Sequence, residues 1–324
     1  MIDSQQHLKY LTDISNKDVT KLKLPPGAKI ISNSEVDAFG TCERKHLFAF
    51  GYNKEPKFLS RSLAIGVCGH EILAVFYKSI KHGMTKKQAE LTTMQHLSQF
   101  YIKGTYDPDV LNLVATLISR YIPYETISTT CEVLAVEEDF YMPIRDDYWY
   151  GMRLDLLVRV LVGKERGNVM LIDHKFTYDF FTDTDLDLNP QMPKYVPAVR
   201  LSGYPVHQAY INQIRWRFSP KVITEKNKTD EELFRFTSVG LTQARIRSAV
   251  KQQMMFSERI LERRKLPFDL QIEESPPNQN KMVCRNCSFT KPCIMMSNEE
   301  DISGIMFTNY QDRTYGYSKH EIEA

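Results

Sequence analysis

Residues 151-GMRLDLLVRVLVGKERGNVMLIDHKFT-177 hold two β-rich runs around a short glycine-flanked loop, 163-GKERG-167. The pattern predicts a hairpin with strands over 151–162 and 168–175. Opposed residues of an antiparallel pair have a constant index sum, so a turn centred near residue 165 sets Asp155 roughly across from Asp173. Side chains alternate along a strand, which sends Asp173 and Lys175 to one face and His174 to the other. Two carboxylates and one ammonium then converge on a small patch.

Such a patch suits phosphodiester hydrolysis. Carboxylate oxygens bind Mg²⁺ or Mn²⁺, and the ion polarises a phosphate. A lysine orients the attacking water or stabilises developing negative charge. Taken alone, a strand carrying D-x-K is also an ordinary ion pair that holds charge beside a sheet.

Outward from the hairpin, 131-CEVLAVEEDFYM-142 alternates enough for a preceding strand. Residues 66-GVCGHEILAVFYKSIKH-82 read as an amphipathic helix closed by Gly83, with His70, Leu73, Ala74 and Tyr77 on one face. Gly66 and Gly69 fit close packing of that helix start against a sheet. Two more helices are expected at about 86–103 and 108–122. Residues 32-SNSEVDAFGTCERKHLFAFGY-52 read as a helix, with Ser34 as N-cap, entering an aromatic stretch. Residues 1–30 are polar and end in the loop-like KLPPGAK. Downstream, 206–217 looks like a strand, with a helix as the alternative. Residues 241–265 form a long charged helix with Ile246, Val250 and Met254 on one side. A proline-rich break, 275-SPPNQ-279, and a polar stretch of twenty-odd residues complete the chain.

Composition sets wide bounds. The 324 residues are 42% hydrophobic and 25% charged, as in a globular protein with a sizeable core. A net charge of +2 neither demands nor excludes nucleic acid, because a local basic groove can sit on a balanced protein. No uninterrupted apolar run approaches the length needed to cross a membrane. The N-terminus lacks the apolar stretch of a secretory signal. The expectation is a cytoplasmic, reducing environment and no membrane partner.

Of the six cysteines, Cys284, Cys287 and Cys293 fall within 284-CRNCSFTKPC-293. Close spacing in a reducing compartment suggests metal or redox chemistry rather than disulfides. Structural zinc and an iron–sulfur cluster both fit three such thiols and a fourth ligand from elsewhere. Cys68 and Cys131 read as small buried residues.

Six signatures, in order along the chain, resemble the RecB-like branch of the PD-(D/E)XK nucleases. They are 32-SNSEVDAFGTCERKHLF-48 (an S-x-S opening followed by a cysteine), 66-GVCGH-70, 151-GMRLD-155, 172-IDHK-175, 191-QMPKY-195 and the C-x2-C-x5-C cluster. The resemblance spans about residues 32 to 293. It implies an α/β fold with a restriction-endonuclease-like core: a central mixed β-sheet flanked by helices, its N- and C-terminal segments joined at a metal cluster. It implies His70, Asp155 and Asp173 as metal ligands, with the main-chain carbonyl of His174, and Lys175 as the catalytic lysine. Gln191 and Tyr195 would lie on a helix beside the site and contact DNA or position the lysine, although Pro190 and Pro193 crowd that helix start. Glu137 would belong to the surroundings rather than to catalysis. Cys42 would complete a [4Fe–4S] site with Cys284, Cys287 and Cys293, as in the similar CRISPR-associated adaptation exonucleases and AddB, with structural Zn²⁺ as the alternative.

The expected domain plan is a polar extension over 1–30, a nuclease domain over 31–295 with a helical insertion about 84–125, and a tail over 296–324. The expected function is a metal-dependent DNA exonuclease acting on single strands or duplex ends in recombination, repair or processing. Interleaved basic and aromatic residues in 44-RKHLFAFGYNK-54 and 215-RWRF-218 suit single strands. For the second of these an edge strand is an equal alternative, and for the basic residues of 245–265 a solvated helix face is the favoured reading. No G-x-x-x-x-G-K-[ST] loop is present, so a helicase or recombination motor would be a separate chain. The alternative is a nucleic-acid-binding or scaffold protein with a structural cysteine-ligated metal and an inactive nuclease site. Retention of Asp155, Asp173 and Lys175 together argues against it.

Overall fold

The computed structural model describes residues 4–225 and 228–313; the rest of the tail expected at 296–324 lies outside the described residues. The strands are β1 (Lys29–Ser32), β2 (Lys54–Pro56), β3 (Cys131–Arg145), β4 (Tyr148–Val160), β5 (Val169–Thr177), β6 (Val206–Arg215), β7 (Phe234–Val239) and β8 (Tyr310–Asp312). Six of them form one mixed sheet in the order β1–β4–β5–β6–β7, with β3 also on β4. The β1–β4 and β5–β6 pairs are parallel and the others antiparallel.

β4 organises this sheet. β3 follows one of its edges from Cys131↔Val160 to Arg145↔Tyr148. The other edge is shared. β1 takes it from Tyr148 to Gly151, and β5 takes it from Leu156 to Arg159. Residues 152–155 pair with neither, so the sheet forks there. The hairpin joining β4 to β5 has the register expected from its loop.

The principal helices are α1 (Ser4–Asp13), α2 (Asn33–Thr41), α3 (Arg61–Lys81), α4 (Lys86–Lys103), α5 (Pro108–Tyr124), α6 (Gln191–Leu201) and α7 (Gln243–Arg264). Alternate strand residues feed two separate cores. Leu156, Val158, Met170 and Ile172 pack with α3, α4 and α5. Leu157, Val169, Leu171, Ala209 and Ile211 pack with α1, α2, α6 and α7. A mixed sheet covered by helices on both faces follows from this alternation, as expected for a restriction-endonuclease-like core.

Several local readings shift. α2 is capped by Ser32 rather than Ser34: Ser32 ends β1 in extended conformation, and its hydroxyl accepts the Glu35 N–H at 3.1 Å. α3 starts at Arg61 behind a Ser60 cap, which leaves Gly66 and Gly69 inside the helix. Only Gly69 is needed for close approach, since a Cβ there would lie 2.2 Å from the Phe176 ring, whereas one on Gly66 would meet open space. α3 is also long and apolar enough to cross a membrane by length and composition, although Glu71 and Lys78 interrupt its apolar run. Its Ile65, Ile72, Phe76 and Tyr77 are buried in the core. Residues 206–215 form a strand, not a helix, because β6 is paired on both sides. α1, β1 and β7 were not anticipated; α1 and the residue after it bury Leu11 and Ile14.

A satellite core stands apart from the other two. Phe48 and Ala49 pack with Phe289, Met306 and Tyr310, and Cys287 and Cys293 border them. The β2–β8 ribbon and a 2.6 Å Lys54–Asp312 ion pair close the same region.

The two helix glycines make a paired test. Gly69→Ala should lose about 1–3 kcal/mol of stability, because its methyl overpacks the Phe176 contact. Gly66→Ala should be neutral or gain up to about 1 kcal/mol from helix propensity. Urea denaturation of both variants measures the contrast, and equal effects would show that α3 does not sit against Phe176 as described.

Candidate active site

The fork leaves a local hydrogen-bonding problem. β5 peels away from β4 after Ile172, and the next step of the shared register brings Asp155 level with Asp173. The His174 N–H, without a ladder acceptor on β4, donates instead to Asp155 Oδ2 at 2.7 Å. A buried N–H needs an acceptor, so the carboxylate takes the place of a missing backbone carbonyl.

Asp173, on the freed part of β5, is 4% exposed. Its Oδ1 accepts a hydrogen bond from Gln191 Nε2 at 2.9 Å, and Lys175 Nζ lies 2.9 Å from its Oδ2. Gln191 Nε2 also donates to Tyr195 Oη at 3.0 Å, one turn further along α6. Pro190 precedes this helix and Pro193 falls in its first turn, where a missing N–H costs nothing.

His70 reaches the fork from α3, in the opposite layer. Its Nδ1 lies 3.4 Å from Asp155 Oδ2 and 3.8 Å from Glu137 Oε1. Glu137 stands on β3 across from Asp155, between the pairs Val136↔Leu156 and Glu138↔Leu154. Its φ of 48° is left-handed, which is uncommon for a residue other than glycine. His70, Glu137 and Asp155 offer donor atoms all within 4.8 Å of one another.

The electrostatics follow from crowding charge into a largely buried place. Burial, and then Asp173, push the Asp155 carboxyl up to about 7; His70 and Lys175 oppose them and Glu137 adds to them. Burial works against the charge on Lys175, but Asp173 and Asp155 hold its ammonium above the ordinary range. Burial likewise opposes the charge on His70, and Asp155 and Glu137 overcome it to raise its pKa. His174 behaves differently. Its side chain enters the other layer, stacked on Tyr77 at 5.4 Å, with Nδ1 2.8 Å from Asn212 Nδ2. Burial, then His70 and Lys175, lower it to about 3, so the ring is neutral at ordinary pH.

The structure therefore joins Asp173 to Lys175 and Gln191, Gln191 to Tyr195, and His70 to Asp155. Among the described residues the compact donor cluster is His70, Glu137 and Asp155 rather than the expected His70, Asp155 and Asp173, and His174 meets the site through its N–H. Glu137, which the sequence reading set aside, joins them. The signal for it was partial: the index sum at the β3–β4 turn, Arg145↔Tyr148, pairs Asp155 with Glu138, and a register shift between Pro143 and Arg145 moves the partner to Glu137. A second feature was not foreseen. Lys194 is 4% exposed and ion-paired to Asp37 at 2.7 Å. Both line a cavity of about 800 Å³ that opens beside Gln191, with Phe180, Phe181 and Phe256 on its walls.

Carboxylates with one imidazole are a donor set suited to Mg²⁺ or Mn²⁺. Three carboxylates face a single lysine ammonium and one histidine, so a divalent cation also fits the charge of the site.

The cysteine region lies in the satellite core. Asn278 links two of its thiols, donating its N–H to Cys42 Sγ at 3.2 Å and accepting from Cys284 Sγ at 2.9 Å. Burial raises the Cys293 pKa, Arg44 opposes this, and the nearby Cys42, Cys287 and Cys284 add to it. Among the described residues, no three of these sulfurs lie within 4.8 Å of one another. Cys68 and Cys131 are buried, as read from the sequence.

This fork, with acidic residues and a lysine at its opening, sits in a chain whose residues 30–294 match the family model of the PD-(D/E)XK nuclease superfamily. The protein belongs to that superfamily, whose members are usually metal-dependent nucleases. Among solved structures, the crystal structure of SSO0001 is similar at 12% sequence identity, covering 90% of this chain and 96% of that one with a TM-score of 0.35. No curated protein matches.

The raised Asp155 carboxyl gives a pH-dependent prediction. The folded chain holds this proton more tightly than the unfolded chain, where the pKa is about 3.9. Metal-free protein therefore loses stability on account of this group as pH rises from about 4 to about 7. Asp155→Asn still accepts the His174 N–H. It should stabilise the metal-free protein by an amount that grows across that window and levels off above it, on the order of a few kcal/mol. Thermal unfolding in chelator at stepped pH measures this, and a pH-independent difference would refute the charge assignment.

Proposed function

We propose that this chain is a divalent-metal-dependent deoxyribonuclease of the RecB-like branch, an exonuclease on single strands or DNA ends serving recombination, repair or processing. The observation that carries the reading is the meeting of His70 from one helical layer, and Gln191 and Tyr195 from the other, with Asp155, Asp173 and Lys175 at one fork. The six signatures in order add the branch within the superfamily.

In this reading His70, Asp155, Asp173 and the His174 carbonyl hold Mg²⁺ or Mn²⁺, with Glu137 orienting His70. When bound, the ion supplies Lewis-acid activation of the scissile phosphate. Lys175, kept charged by its two carboxylates, stabilises negative charge developing on the phosphate oxygens and orients the attacking water. Gln191 fixes one oxygen of Asp173, which leaves the other for Lys175. Tyr195 is held protonated by burial and by the carboxylate of Asp173, so it serves as an anchor for Gln191. The nuclease domain runs over 31–295, with α4 and α5 as its helical insertion.

Cys42, Cys284, Cys287 and Cys293 hold a [4Fe–4S] cluster in this reading. Support comes from the Asn278 N–H donated to Cys42 Sγ, a bond of the kind that tunes cluster sulfurs. Tetrahedral zinc on the same four thiols is the alternative.

End-labelled single- and double-stranded DNA incubated with Mg²⁺ or Mn²⁺ tests the activity, read at both ends. Degradation should fall about 100-fold or more in Asp173→Ala and Lys175→Ala. No degradation under any divalent ion would sink the proposal. Anaerobically purified protein should be brown, with broad visible absorption that disappears in Cys287→Ala; a colourless, zinc-containing protein would replace the cluster with structural zinc.

A further inference from the structure

β5 and β6 run parallel, so both bring their C-terminal ends to the same rim of the sheet, with Thr177 beside Arg215. This rim begins two residues beyond Lys175. Rings and guanidinium groups alternate along it. Phe180 lies between Arg215 at 4.5 Å and Arg235 at 4.3 Å. Arg217 sits over Tyr178 at 5.6 Å, and Trp216 meets the same ring edge-on at 5.1 Å.

The register ties this rim to the catalytic row. Lys175 pairs with Gln213, and Gln213 with Arg235, so the three share one face of the sheet. Arg235 stands two strands from Lys175, about 10 Å at the usual strand spacing. Charge and exposure then single out a surface. Asp179 is paired with Arg217 at 2.9 Å and lies 4.0 Å from Arg215. Arg235 is exposed and has no carboxylate within 4.0 Å among the described residues. The Tyr178 ring is 53% exposed.

We infer that this rim is a stacking platform for a single DNA strand entering or leaving the catalytic fork. Tyr178 takes the face of an unpaired base, and Arg217 and Arg235 hold the flanking phosphates. The inference rests on the nuclease reading and specifies its substrate: a strand recognised through unstacked bases, which a closed duplex does not offer. Arg235, held over the Phe180 ring, keeps its N–H groups free for phosphate, and Arg217 exchanges its Asp179 partner for one. Base stacking on an aromatic ring tolerates any sequence because every base has a π-face. Excess positive charge, and continuity with Lys175, favour this occupant over an apolar partner.

The test uses the full-length chain carrying Asp173→Asn, with fluorescent oligothymidylate, an equally long abasic strand of the same charge, and a blunt duplex. Oligothymidylate should bind about tenfold more tightly than the abasic strand. Tyr178→Ala should remove that difference without changing the salt dependence or duplex binding, and Tyr178→Phe should keep it. Arg217→Ala and Arg235→Ala should each flatten the slope of log affinity against log salt by about 0.7, the share of one phosphate on a single strand. Equal binding of thymidylate and abasic strands, or a difference that survives Tyr178→Ala, would overturn the platform. Cleavage by the unsubstituted chain without base-dependent binding overturns the platform and leaves the nuclease reading standing. Base-dependent binding lost in Tyr178→Ala, in a chain that never cuts, supports the platform and counts against the nuclease reading.

Discussion

At the fork in the sheet, the His174 N–H has lost the partner that β4 gives to the residues before it, and the Asp155 carboxylate accepts it. Much of the site depends on this exchange. It fixes one oxygen of Asp155, sets the height of β5 where Asp173 and Lys175 emerge, and turns the His174 side chain into the opposite layer. There Asn212 bonds both His174 and Tyr121, and Tyr121 bonds Tyr77 in turn. These bonds tie His174 Nδ1 to two helices of that layer, although its buried Nε2 has no protein partner. The strand bearing the acidic residues is thus clamped from behind.

The same fork explains how charge from two layers can be gathered in one largely buried place. In an unbroken sheet, side chains of the two layers are separated by the strands. Where β1 has ended and β5 has left, His70 from one layer reaches Asp155 and Gln191 from the other reaches Asp173. Desolvation raises the cost of each negative charge, and every carboxylate added raises it for the rest. Lys175 offsets part of this cost. The remainder stores an affinity for cations, which a closed ion pair between Asp173 and Lys175 alone would not have.

The hairpin, its register and the alternation of Asp173, His174 and Lys175 were legible because strand geometry is periodic and the loop is short. The core helices were legible from their apolar spacing, except at their starts, where a serine outside the periodic run decides the boundary. Glu137 was only partly legible, since a register shift between Pro143 and Arg145 moves the residue opposite Asp155 from Glu138 to Glu137. β1 and β7 were not legible. Four residues, or six with an exposed face, carry too little pattern, and they become strands only because β4 and β6 offer free edges. The Asp37–Lys194 pair and the platform around Tyr178 depend on chain segments that meet only in the folded protein, which no local pattern encodes. The opposition between an ordinary ion pair and a catalytic lysine could be weighed only once His70 and Gln191 were placed beside it.

The satellite core has a consequence for how the chain is made. Phe48, Ala49 and Cys42 leave the ribosome early, but their partners follow only near the end; Cys42 and Asn278 are 236 residues apart. Through most of synthesis Phe48 has local neighbours such as Tyr52 but not its partners from 289–310. The two large cores can assemble meanwhile, since their members run no further than Leu261. Closing the satellite therefore waits for residues 289–310, and a chain that stops before them would carry an exposed patch of Phe48 and its neighbours.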